Sequence, residues 1–142
     1  MISKPIFFLA ARWYRKAADQ GHAGAQRALG GIYGYGLGVP QDYAEVARWF
    51  RKAADQGDAE AQYNLGIMYD QGQGVPQDYV QAHMWLNLAA AHSNGADQQQ
   101  YSQPRELVAN KMTQAQVAEA QRLAREWKPD KLVVDPSEVL AP

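Results

Sequence analysis

The sequence predicts an all-α fold, an α/α superhelix (solenoid) of antiparallel helix pairs with a C-terminal capping helix and an extended tail. Three observations carry this. Ala11 to Gly21 is written again from Ala47 to Gly57 with one change, Tyr14 to Phe50, at an offset of 36 residues. Residues 22–57 and 58–93 are identical at 16 of 36 positions, and self-similarity with a period of about 20 to 50 residues marks stacked units, none of which buries its apolar face alone. Each unit is also broken at the same place, by Gly36-Leu-Gly-Val-Pro-Gln-Asp42 and Gly72-Gln-Gly-Val-Pro-Gln-Asp78. There glycine and proline end one helix and aspartate opens the next.

Taken in order, 1–21 is an incomplete first repeat, 22–57 and 58–95 are full repeats, 96–128 is a degenerate repeat and cap, and 129–142 is a tail. The first element is a helix from Ala11 to Gln20, closed by Gly21. The first helices of the full repeats span about Ala23–Gly34 and Ala59–Gln71, with Ala25, Leu29, Tyr33 and Ala61, Leu65, Tyr69 spaced four apart on one face. Gly30 and Gly66 beside that face leave room for a neighbouring backbone. Asp42 with Glu45, and Asp78 with Gln81, have the form of a capping box opening the second helices, Tyr43–Gln56 and Tyr79–His92. Their inward candidates are Tyr43, Ala47, Phe50, Ala54 and Tyr79, Ala82, Leu86, Ala90. Trp13, Trp49 and Trp85 recur at the repeat distance. Such a ladder reads most simply as core between units, each ring burying about 150 to 250 Å², with a ligand-binding aromatic box as the alternative.

The pattern Ala-x-Ala-Gln-x-x-Leu-Gly-x-x-Tyr-x-x-Gly-x-Gly-Val-Pro-Gln-Asp-Tyr, followed by Trp and Ala-Ala, resembles the Sel-one-like repeat (SLR) family, a relative of the tetratricopeptide repeats. The resemblance covers residues 11 to 95. It implies a right-handed superhelix used as an adaptor surface for other proteins, and no catalysis. A cysteine-rich secreted branch is connected with β-lactam binding, but its disulfides cannot form in a chain with no cysteine.

After His92 the register slips. Ser102 is expected to cap a helix to about Lys111, with Pro104 in its first turn. Thr113 with Gln116 forms a capping box opening a helix to about Trp127, along which Val117, Ala120, Leu123, Ala124 and Trp127 make an apolar stripe. This ending resembles the terminal helix that closes many SLR proteins. The tail from Lys131 is expected to be extended. In the third copy, Arg48, Arg51 and Lys52 are replaced by Met84, Asn87 and Leu88. That apolar surface needs cover from the last helix, the tail or an outside partner.

Composition narrows the function. No cysteine means no thiolate metal site or cysteine nucleophile. The apolar run Ile6–Ala11 is too short for a signal peptide or membrane span, so no membrane insertion is expected and a cytoplasmic location is the default, with a periplasmic or secreted one if a leader was removed. A net charge of −1 argues against nucleic-acid binding. Residues 1–52 nevertheless carry +5 and residues 53–104 carry −6, which reads either as solvated helix faces with i, i+4 pairs or as a steering field for a partner. His22, His83 and His92 lack zinc-like spacing and read as surface or rim residues. No phosphate-binding loop or nucleophile elbow is present, and the spacing of Asp58, Glu60, Asp70 and Asp97 suggests no acid–base pair. Neither an enzyme nor a cofactor or metal is expected.

Two surfaces remain. Between the first helices, core positions repeat while Gly24, Arg27, Ala28, Gly31, Gly34 and Tyr35 become Glu60, Tyr63, Asn64, Ile67, Asp70 and Gln71, positions on one helical face. In the tetratricopeptide arrangement that face is the concave wall. Arg27, Gly31, Tyr35, Tyr63, Asn64, Ile67, Asp70 and Gln71 are thus candidates for binding a protein or peptide partner, against the plainer reading that exposed positions drift. The second surface is Ile6, Phe7, Phe8, Leu9, Trp13 and Tyr14, apolar residues through which two copies could pair as a homodimer, making a self-assembling structural module the alternative function.

Overall fold

The computed structural model describes residues 4–130, and side chains from Ile6 onward; the expectation of an extended tail falls outside them. Seven helices follow one another, α1 (Lys4–Asp19), α2 (Ala23–Tyr35), α3 (Tyr43–Asp55), α4 (Ala59–Gln71), α5 (Tyr79–Ala91), α6 (Ala96–Ala109) and α7 (Gln114–Glu126), with no strand among the described residues. Each of the first five packs on the next, and α7 packs on α5, as in a helical solenoid. The first helix begins at Lys4 rather than Ala11 and so runs through the apolar segment.

The repeated loop braces itself. Gly36 and Gly72 close α2 and α4 in the left-handed conformation. Gln41 Nε2 donates to the Gly34 carbonyl and Gln77 Nε2 to that of Asp70, each at 2.8 Å. Only half of each expected capping box forms. Asp42 accepts from the N–H groups of Ala44 and Glu45, but its own N–H donates to the Tyr33 carbonyl at 3.2 Å, as Asp78 N–H does to that of Tyr69 at 3.0 Å. The reciprocal half is displaced by a bond that folds the loop onto the preceding helix. Gly38 and Gly74 have φ of 74° and 75°, and a Cβ at either would strike backbone of the previous second-type helix, at Phe7–Phe8 and at the Tyr43 carbonyl. Only glycine meets both conditions.

Trp49 and Trp85 are fully buried, Trp49 among Ala11, Ala18, Ala25, Leu29 and Ile32, and Trp85 in the cluster holding Val46, Phe50, Ala61 and Leu65. Each ring thus packs on the layer before its own. Trp13 departs from the expected ladder: it is 72% exposed, because no described residue stands where a preceding layer would cover it. Repeat-equivalent cations lie over the buried rings, Arg15 at 5.2 Å from Trp49 and Arg51 at 5.4 Å from Trp85. The small residues have specific neighbours: a Cβ on Gly30 would meet the Phe50 ring at 2.6 Å and one on Gly66 the Leu86 side chain at 2.8 Å. The close approach is therefore by a side chain of the following helix.

Among the inward candidates, Ala47, Phe50, Ala54, Ala82, Leu86 and Ala90 are buried, whereas Tyr43 is 39% exposed and its hydroxyl meets Gln41 Nε2. The region after His92 differs most from expectation. The helix starts at Ala96, not Ser102, and Pro104 lies inside it. Ser102 is no cap; its hydroxyl donates to the Gln98 carbonyl at 2.7 Å. A proline there removes one helical hydrogen bond, which the packing of α6 on α5 and the stacking of Tyr101 on Tyr63 (4.7 Å) outweigh. Thr113 and Gln116 form the full capping box. Met84 and Leu88 are buried, and the last helix supplies the cover, with Leu123, Ala124 and Trp127 packed against their cluster.

A polar link crosses each layer boundary. Buried Gln26 donates to the Ala18 carbonyl at 3.1 Å and accepts from Gln56 Nε2 at 2.8 Å. Buried Gln62 donates to Ala54 at 3.1 Å, so its oxygen accepts from His92 Nδ1 at 2.9 Å. His92 is a rim residue at the Trp127 ring, 5.2 Å away, and His22 caps α2. His83, expected at the surface, is instead 4% exposed, because α6 packs over its face of α5.

Burial lowers the pKa of both imidazoles below 6.5, helped for His83 by Arg105. Their stabilising contribution is therefore complete above the unfolded value and is lost as pH falls below it, since the unfolded chain then takes up protons the folded one resists. The melting temperature should drop between about pH 7.5 and pH 6. His92→Gln, which reinstates the glutamine of the preceding repeat, should shrink that drop. A melting temperature that holds or rises in this range would contradict the assignment.

Candidate functional site

A cleft of about 640 Å³ opens between α2 and α4. Of the eight groove residues expected from sequence, the structure brings six to it: Arg27, Gly31, Tyr35, Tyr63, Asn64 and Ile67. Asp70 and Gln71 do not line it. Asp70 is drawn toward the α6–α7 turn, where Lys111 Nζ lies 3.0 Å from its carboxylate, and Gln71 ends α4 on the exposed rim. The internal comparison could not see the second helix of the repeat: Tyr43, Val46 and Phe50 from α3 also line the cleft, with Met68 of α4. Their spacing of three and four residues on α3 was the available signal, but it looked like plain core.

The glycines give the cleft its shape. A Cβ on Gly30 would hit Phe50, one on Gly34 would touch Val46 at 3.6 Å, and one on Gly31 would meet nothing within 4 Å. Gly31 therefore leaves open space above the helix surface. Tyr35 stands at one end, 81% exposed, and Tyr63, stacked on Tyr101, forms the other wall.

Electrostatically the cleft is nearly saturated. Arg27 is fixed across the layers by Asp58, Nε to Oδ2 at 3.2 Å, and by Glu60, Nη1 to Oε2 at 2.9 Å. Burial works against its charge but is outweighed by the Asp58 hydrogen bond and the two carboxylates, which raise its pKa. Tyr101 is raised by burial first and then by Asp97, Glu60 and Asp58, so it remains a neutral donor at ordinary pH. The arrangement offers aromatic faces, the Asn64 amide and an open helix surface, the equipment for holding a peptide by shape and a few hydrogen bonds. Among the described residues no group of three or more His, Asp or Glu is placed to hold a metal ion, and no helix is long and apolar enough to cross a membrane.

The family model described as "Sel1 repeat" matches residues 8–22, 23–58 and 59–94, the last two being units of the period read from sequence. A solved structure of c5321, a protective antigen present in uropathogenic Escherichia coli strains and displaying an SLR fold, is 33% identical with a TM-score of 0.76. That alignment covers 93% of this chain and 28% of the antigen. A Sel1 repeat protein from Oxalobacter formigenes is 41% identical with a TM-score of 0.57, over 58% of this chain and 63% of that one. The chain thus spans less than two thirds of either. No curated protein matches. With three repeats matched in succession and an SLR-fold neighbour aligned over 93% of this chain, the chain belongs to the Sel1 repeat family.

Proposed function

We propose that this chain is an interaction scaffold that holds a peptide segment of a partner protein in the cleft between α2 and α4. Sel1 repeats are typically protein–protein interaction modules and generally non-catalytic. The observation that carries the specific reading is the open surface at Gly31 between Tyr35 and Tyr63, in a cleft of about 640 Å³. Aromatic walls around such an opening provide the desolvated contact on which interfaces rely. Gly31→Gln tests it without unfolding the protein. The position is helical with free space at Cβ, so removing the glycine should stabilise by up to about 1 kcal/mol while its side chain fills the cleft. Affinity capture from the host, quantified by mass spectrometry, should lose at least tenfold of a specific partner with Gly31→Gln but not with Trp13→Glu. An identical set of captured proteins would reject the cleft as the binding site.

A second reading is favoured by Trp13. Its counterparts are buried by a preceding layer, and it shares an exposed face of α1 with Ile6, Leu9 and Tyr14. Through this face two copies would pair and form a structural module. Light scattering over a range of concentrations should then give a dimer mass that reverts to a monomer in Trp13→Glu. A constant monomer mass would discard the pairing.

A further inference from the structure

The outer face of the second-type helices carries the same three positions in each repeat, and the chain shows what they do when occupied. On α5 they are Met84, Asn87 and Leu88. Met84 and Leu88 are buried, Arg105 donates to the Asn87 side chain at 2.7 Å, and α7 lies against the helix. On α3 they are basic but largely satisfied. Arg48 forks onto the Glu45 carboxylate at 3.1 and 2.9 Å, while Arg51 reaches the Tyr69 hydroxyl at 3.0 Å and Asp55 at 3.5 Å. On α1 they are Arg12, Arg15 and Lys16. Arg15 pairs with Asp19, but Leu9 stands where Glu45 does one repeat later. Arg12 therefore lacks the carboxylate its counterpart holds. Arg12, Lys16 and Lys52 have no ion-pair partner among the described residues; Lys16 lies over the Trp13 ring at 5.6 Å and Lys52 over the Trp49 ring at 4.7 Å, contacts that leave their charges free to meet a carboxylate. Arg12 and Lys16 border a cleft of about 280 Å³, floored by Ala11, Leu29, Tyr33 and Val39.

We infer that the outer face of α1 and α3 binds an acidic segment of a partner protein, one bulky apolar side chain entering this cleft while flanking carboxylates meet Arg12, Lys16 and Lys52. The ligand chemistry comes from the chain itself: the Arg48–Glu45 fork is the contact Arg12 is shaped to make, and guanidinium–carboxylate forks are directional as well as strong. Glu45 and Asp19, the carboxylates already near the patch, are engaged by Arg48 and Arg15. A nucleic acid fits less well. Three open cations are fewer than the roughly 6 to 10 phosphate contacts of a salt-driven binder, and the apolar floor offers a phosphate backbone nothing. A second copy is a poorer source of the acidic segment, because four of the six carboxylates of residues 53–104 are already paired, Asp55 with Arg51, Asp58 and Glu60 with Arg27, and Asp70 with Lys111, and Asp78 caps α5. This site is separate from the α2–α4 cleft and does not depend on it.

Fluorescence anisotropy of the full chain with a labelled twelve-residue peptide, a central Leu-Phe flanked by Glu and Asp, tests the inference. Saturable binding is expected, weakened about tenfold or more between low and high salt as exposed pairs are screened. An otherwise identical peptide carrying Gln and Asn should bind at least tenfold more weakly. Arg12→Glu with Lys16→Glu should abolish binding, while Gly31→Gln should leave it unchanged. Both altered side chains are exposed, so a thermal melt should be preserved; if the double variant does not fold, Arg12→Gln alone should still weaken binding several-fold. No saturable binding, equal binding by the charge-reversed variant, or equally tight binding of a single-stranded oligonucleotide would each overturn the inference.

Discussion

The insertion of one indole per repeat into the layer before it is the contact on which the rest of this molecule depends. Trp49 and Trp85 have almost no solvent exposure and sit between the second-type helix of the previous unit, through Ala11 and Ala18 or Val46, Phe50 and Ala54, and the first-type helix of their own, through Leu29 or Leu65. Burying such a ring stabilises by roughly 4 to 6 kcal/mol on area grounds. Part of that is lost, because neither indole N–H meets an acceptor in good hydrogen-bond geometry among the described residues, at about 1 to 3 kcal/mol each. The buried glutamines mark the same boundary, tying each layer to a backbone carbonyl of the one before. Apolar contact thus supplies the strength of the stack, and the glutamine links fix its register.

That stack places both candidate binding surfaces. The first-type helices α2 and α4 lie side by side across a layer boundary, and Arg27 bridges it to Asp58 and Glu60. The cleft between them is shaped by the small residues of α2 and by aromatic side chains from all three helices around it, Tyr35 of α2, Tyr43 and Phe50 of α3 and Tyr63 of α4. The second-type helices face outward. Their charges are neutralised where the chain folds back on itself and remain open on α1. The excess of cations in the first 52 residues and of anions in the next 52 thus divides into two parts: most of the anions form pairs within and across layers, while Arg12, Lys16 and Lys52 on the outer face have no ion-pair partner among the described residues.

Much of this was legible because a repeat is its own control. A position identical in both copies, such as Leu29 and Leu65 or Gly38 and Gly74, carries a packing or backbone constraint, and the structure gives each a reason. The six cleft residues came from the positions that change on one helical face. What was hidden depended on context that a single copy does not contain. Trp13 reads like Trp49 but lacks a layer to enter. His83 reads as a surface residue because the helix that buries it, α6, is expected to be capped at Ser102, whereas its cap is Gly95. That error came from Ser102 and Pro104, whose local preference for a helix start was overridden by packing against α5. The contribution of α3 to the cleft was missed for a related reason: Val46 and Phe50 both support the core and border an opening, and periodicity registers only the first role.

The central claim is that each layer is held by the tryptophan of the next, and equilibrium unfolding of three single variants tests it most directly. Trp49→Ala and Trp85→Ala should each cost about 3 to 5 kcal/mol, whereas Trp13→Ala, with its ring 72% exposed, should cost less than about 1 kcal/mol. Comparable losses at all three positions, or a small loss at Trp49 and Trp85, would contradict the account.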